Sequence, residues 1–88
     1  MTARLLATFR STHGALAAER RVRAAGLAGD LIPLPAQIRS SCGFGLLLEG
    51  PEPPPEVQED PQVEGLWRVQ EPPPGHHRRH YEPYHPHR

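Results

Sequence analysis

This 88-residue chain contains no lysine, and cysteine occurs once, at Cys42. All basic residues are arginine, a bias that reads as base composition of the gene rather than as function. A single cysteine excludes an internal disulfide. Long apolar runs are also missing. Leu5-Leu6-Ala7 is too short for the apolar region of a signal peptide, and no stretch approaches a membrane span. With one cysteine and no export signal, the cytoplasm is the expected location. The formal net charge is zero, which gives no electrostatic case for a nucleic-acid partner. Arg20, Arg21 and Arg23 read as a solvated helix face. The foldable part holds one histidine, His13, and no paired carboxylates near a nucleophile, so a hydrolase or transferase site has nothing to be built from. The chain is not expected to be an enzyme, and no cofactor is expected.

Proline, by contrast, is abundant and unevenly placed. Of twelve prolines, only Pro33 and Pro35 precede residue 50. The remainder divides the chain into a core over 3–50, a proline-rich acidic linker over 51–62, a candidate strand over 63–70, and a tail over 71–88 expected to be disordered. Charge follows the same division. Residues 1–50 carry +3, residues 51–71 carry −5 and residues 72–88 carry +2. A core this small supplies only about 3–5 kcal/mol, so self-association into a homo-oligomer, or a partner, is one way to complete it.

Within the core, Arg4–Phe9 reads as a strand with Leu5, Ala7 and Phe9 on one face. Ser11 is a good N-cap for a helix running from Thr12 to Ala25 and stopping at Gly26. Ala15, Ala18, Val22 and Ala25 share one side of it, flanked by Leu16. Such small residues allow the helix to pack close to a sheet. Residues 28–34 read as a second strand, which Pro33 confines to an edge or ends. Phe44–Glu49 makes a third strand and Glu64–Gln70 a fourth, with Trp67 and Val69 on one face of the latter. Between them a second helix is either missing or reduced to a turn or two near Glu56–Asp60. This order predicts an α+β fold, a ferredoxin-like split βαβ sandwich with a shortened or missing second helix, followed by the tail.

That topology places the end of the first strand and the start of the third at one edge of the sheet. Cys42 is thereby predicted to lie near Arg10-Ser11-Thr12-His13 and the helix N-terminus. A helix N-terminus stabilises anions, and the thiolate is the reactive form of cysteine. Arg10 would add to that effect if it points inward, and His13 could relay a proton. Gly43 and Gly45 would let the backbone approach a bound atom. Spacing alone leaves a second reading open, in which Cys42 is a small residue starting a strand and His13 simply faces solvent.

Several blocks in order sharpen the choice: Thr8-Phe9, Ser11-Thr12-His13, Ala15-Leu16, Ala18-Glu19, a glycine at the helix end, Leu31-Ile32-Pro33 with Pro35, and Ile38, Ser40, Cys42-Gly43. Over residues 4–49 this pattern resembles the selenium/sulfur carrier protein-like family, a small bacterial domain of unknown function with a Cys-Gly motif. The resemblance implies a cytosolic carrier with Cys42 and Gly43 at the site, shaped by Ser11, Thr12, Pro33 and Pro35. Relatives usually have a clear second helix where this chain has Pro51-Glu52-Pro53-Pro54-Pro55.

Two functions from different classes follow. In the first, Cys42 is the carrier thiol, holding sulfur or selenium as a persulfide or perselenide between donor and acceptor proteins, supported by Gly43, Ser11, Thr12, His13 and Arg10. In the second, the chain is a non-catalytic interaction module with a structural Cys42 and a His-rich tail that contacts a partner or metal. His76, His77 and His80 are the candidate metal ligands, together with His85 and His87 in the same biased segment. No spacing among them imposes a coordination geometry, so disordered solvation is the simpler reading of the tail.

Overall fold

Strand β1, Arg4–Phe9, is the centre of the molecule, and five of its six residues are buried. Leu5, Ala7 and Phe9 point to one face and Leu6 to the other, as the alternation of the strand requires. The computed structural model describes residues 3–85. Helix α1, Thr12–Ala24, begins at Ser11, whose hydroxyl accepts the Gly14 N–H at 3.0 Å. It ends in a Schellman turn: Gly26 N–H reaches Arg23 O at 2.9 Å and Leu27 N–H reaches Val22 O at 3.1 Å. Gly26 takes φ +79°, which an L-residue resists. The buried stripe of α1 is Gly14, Ala15, Ala18 and Val22; Ala25 and Leu16, expected to join it, are exposed.

Strands β2 (Gly29–Pro33), β3 (Phe44–Glu49), β4 (Val63–Gln70) and β5 (His80–Pro83) complete an antiparallel sheet of order β2-β3-β1-β4-β5. Pro33 sits on edge strand β2, where its missing N–H removes no ladder bond to a further strand. The first four strands and their directions are compatible with a ferredoxin-like sandwich. Helix α2, Pro55–Gln58, is a single turn, in line with the expected shortening. Three prolines lead into it, and only Val57 is buried from its four residues.

Two clusters fill the space on the two sides of the sheet. Leu5, Ala7, Phe9, Leu46, Leu48, Val57 and Cys42 pack under α1. Leu6, Ile38 and Val69 form the other cluster, with Trp67, Leu47 and Tyr81 against it. Trp67 and Val69 thus share a face.

The tail is where the sequence reading and the structure part. Residues 71–88 were expected to be disordered, but His80–Pro83 pairs with β4 in the register Val69↔Tyr81 and Gln70↔His80. Tyr81 supplies apolar contact to the second cluster, Tyr84 N–H donates to Leu66 O at 2.8 Å, and Arg68 lies 5.6 Å over the Tyr84 ring. One well-placed tyrosine and an open sheet edge outweigh a composition rich in proline and histidine. His87 lies outside the described residues. Among the described residues, no helix is long and apolar enough to cross a membrane.

Candidate functional site

Cys42 lies where the topology predicts, beside the first turn of α1. Its Sγ is 3.6 Å from Thr12 Oγ1, which accepts the thiol proton, and the Phe44 N–H donates to Sγ at 3.4 Å. The second contact has a simple origin. Thr8↔Gly45 is the last β1–β3 pair, so the Phe44 amide lies one residue past the ladder and is met by the sulfur instead. The thiol is free, 3 % exposed, and part of the core under α1.

Ile38 packs on the opposite face of the sheet from Cys42, so the segment between them wraps from one face to the other. Pro35 O accepts the Ile38 N–H at 3.0 Å, which turns the chain into this segment, and Leu34 N–H binds Gly43 O at 2.9 Å at its far end. Pro33 pairs with Phe44. The two prolines therefore shape the thiol loop from the β2 side.

Other expected supports act differently. Arg10 does not point inward: its Nε donates to Pro61 O at 3.1 Å and its backbone N–H to Gln62 O at 2.8 Å. Ser11 caps α1 and donates to Gln62 Oε1 at 3.2 Å, so it positions the helix rather than the sulfur. His13 is exposed on the first turn, and the polar partners of Sγ are Thr12 and Phe44. Gly43 has no positive φ, and a Cβ there would meet nothing within 4 Å. The glycine demanded by space is Gly45, where a Cβ would lie 2.8 Å from Leu6 Cδ1.

One residue at the site escaped the sequence reading. Glu64 Oε1 accepts the Ser40 hydroxyl at 2.7 Å and the Ser41 N–H at 3.1 Å, while Oε2 accepts the Ser41 hydroxyl at 2.8 Å. Ser40 Oγ in turn accepts the Cys42 N–H at 3.4 Å. A register shift puts Glu64 there. Thr8 pairs with Gly65 and Phe9 with Val63, so Glu64 is the extra residue of a bulge, which re-aims its side chain. Hydrogen bonds from the Ser40 and Ser41 hydroxyls, then the Ser41 amide, hold its carboxyl below the usual range, with a smaller contribution from the Arg10 charge. The only local sign of this bulge is the Glu64-Gly65 pair inside an otherwise regular strand.

The described histidines of the tail give no centre. His76, His77 and His80 are exposed, and among the described residues no three His, Cys, Asp or Glu side chains come together to hold a metal. A surface recess of about 450 Å³ beside α2 is lined by Arg21, Glu56, Glu59 and Asp60, and none of the thiol loop reaches it.

A buried thiol with an amide donor and a hydroxyl partner, beside a helix N-terminus and next to glycine, can now be set against known families. The family model described as "Putative Se/S carrier protein-like" matches residues 4–60, more than half of the chain. The chain belongs to this family. No curated protein matches, and no solved structure does. The match runs past the expected limit at residue 49, so the proline-rich connection and one-turn α2 fall inside the Se/S carrier-like span. Glu64, at the β4 bulge, lies just beyond it.

Proposed function

We propose that this Se/S carrier-like chain carries one sulfur or selenium atom on Cys42, as a persulfide or perselenide, between a donor and an acceptor protein. The observation that carries the reading is the setting of its sole cysteine. Sγ faces the Phe44 amide and the Thr12 hydroxyl at the first turn of α1, in a family whose description names this role. The fold is read as a ferredoxin-like sandwich with a one-turn second helix, and the cytoplasm as its compartment.

Loading needs no external oxidant. The Cys42 thiolate attacks the terminal sulfur of the donor's persulfide, a new S–S bond forms on Cys42, and the donor's S–S bond breaks with its cysteine leaving as thiolate. Selenium follows the same exchange from a donor perselenide. Once Cys42 is deprotonated, Thr12 can reverse its hydrogen bond and donate, so sulfur then accepts from both the hydroxyl and the amide. Release is the same attack run by an acceptor thiol. The chain binds and hands on the atom without turnover chemistry of its own.

Intact-mass measurement after incubation with a persulfide-bearing donor tests this. The expected result is one added sulfur, localised to Cys42 by peptide mapping and absent in Cys42→Ser. An unmodified thiol after incubation with a donor that loads other acceptors would refute the reading.

A further inference from the structure

A carrier thiol must meet its partners' sulfur atoms, yet Cys42 is 3 % exposed. The sulfur is tucked under α1, and the loop that carries it is short. Residues 38–43 form no helix or strand; Ile38 and Cys42 are its buried ends, and two polar attachments hold the stretch between and beside them. One is the backbone bond from Leu34 N–H to Gly43 O at 2.9 Å. The other is the Glu64 carboxylate, which accepts from both serine hydroxyls and from the Ser41 amide at 2.7–3.1 Å. Ser40 passes the restraint on, since its Oγ accepts the Cys42 N–H and also lies 3.1 Å from Phe9 O.

The carboxylate itself belongs to another part of the sheet. It comes from β4, and it reaches the serines because the bulge between Thr8 and Phe9 frees Glu64 from the β1 register. Thr8 Oγ1 donates to Gly65 O at 3.3 Å and steadies the bulge from within. Bonds to an ionised carboxylate are the strongest of the side-chain bonds on the loop, and Glu64 is at the surface, where it can be reached.

Resting on the carrier reading, we propose that Glu64 is a latch: a positioning residue whose carboxylate pins Ser40 and Ser41, and so keeps the adjoining Cys42 thiol tucked under α1, and whose release lets the loop swing the thiol out to its partners. The latch acts on access. Glu64 does not touch the sulfur, and its loss leaves the Thr12 and Phe44 contacts to Sγ available.

The test reads Cys42 modification by iodoacetamide in the full chain, comparing wild type, Glu64→Ala, Glu64→Gln and Ser41→Ala across low urea concentrations. Glu64→Ala is expected to react faster by about tenfold or more, with Glu64→Gln and Ser41→Ala between it and wild type. The acceleration should be nearly independent of urea, as local opening requires, and should exceed any loss of global stability seen in urea unfolding. Wild-type rates in Glu64→Ala overturn the latch. So does an acceleration that carries the full urea dependence of global unfolding, because Glu64 would then support only the fold. Sulfur loading is read separately by mass. If wild type takes no sulfur while Glu64→Ala still exposes the thiol, the latch stands and the carrier reading falls.

Discussion

Replacing Cys42 separates a sulfur that merely fills space from one that holds polar groups together. If the side chain were filling, alanine would be the gentler substitution, because serine brings a hydroxyl into a site that is 3 % exposed. The contacts argue the reverse. Cys42→Ala removes the acceptor of the part-buried Phe44 N–H, which costs about 1 kcal/mol. It also removes one large apolar atom from a packed cluster, costing about another 1 kcal/mol. Cys42→Ser keeps an acceptor for Phe44 and a donor for Thr12, although the shorter C–O bond lengthens both contacts. We expect Ala to cost about 2 kcal/mol and Ser about 1 kcal/mol or less. Against a total of about 3–5 kcal/mol, that gap separates a folded control from a marginal one. Urea unfolding followed by the fluorescence of Trp67, the sole tryptophan, measures it. An alanine variant as stable as the serine variant would refute the reasoning and return Cys42 to the role of packing.

The remaining predictions concern Glu64 and Gly45. Because the folded-state pKa of Glu64 is lowered from 4.5, the stabilisation it gives is fully present above that value and is lost as pH falls through the lowered one. The stability gap between wild type and Glu64→Gln should therefore be open at neutral pH and narrow as pH is taken progressively below 4.5, as read from urea midpoints; a gap that does not narrow in acid would contradict the carboxylate's role. Gly45→Ala puts a Cβ 2.8 Å from Leu6 Cδ1 and 3.3 Å from Ala7 O, so it should cost about 1–3 kcal/mol by overpacking. An unchanged urea midpoint would show that the β1–β3 contact yields more easily than its geometry suggests.

The parts of the fold legible in the sequence were those set by local chemistry. The alternation of Leu5, Ala7 and Phe9 gives β1 its buried face, Ser11 and Gly26 bound α1, and Pro33 puts β2 at the edge. Once the strand order follows, so does the meeting of Cys42 with Thr12, because both lie at one end of β1 and β3. The parts not legible depend on pairing between distant segments. Glu64 reaches the thiol loop only through a shift in β1–β4 register, which leaves no periodic trace in the chain. β5 exists because β4 offers an open edge to Tyr81, and four residues are too few for a pattern to stand out among prolines and histidines. Arg10 turned away from the sulfur for the same kind of reason: Pro61, remote in sequence, presents a carbonyl to it.

Burial of the Cys42 thiol has a limit in a domain this small. A thiol inside a fold worth about 3–5 kcal/mol cannot be protected by more than about 10²–10⁴-fold, since global unfolding always offers a route to it. Protection within that ceiling is still chemically useful. A persulfide exchanges with any thiolate that reaches it, so on the carrier reading an atom held on a buried Cys42 would survive encounters with small thiols that lack the means to free its loop. The segment that carries Cys42 is suited to such control. It has no ladder of its own: it is held by Leu34, by the Glu64 carboxylate, and by the buried side chains of Ile38 and Cys42. On the latch proposal, opening breaks those contacts while leaving β1, β3 and α1 in place, so access costs less than unfolding. On the carrier reading, residues 38–43 would therefore be loose enough to give up the atom on a scaffold that stays folded. The one-turn α2 contributes to the same core through Val57 alone, and, among the described residues, none from α2 hydrogen-bonds the thiol loop.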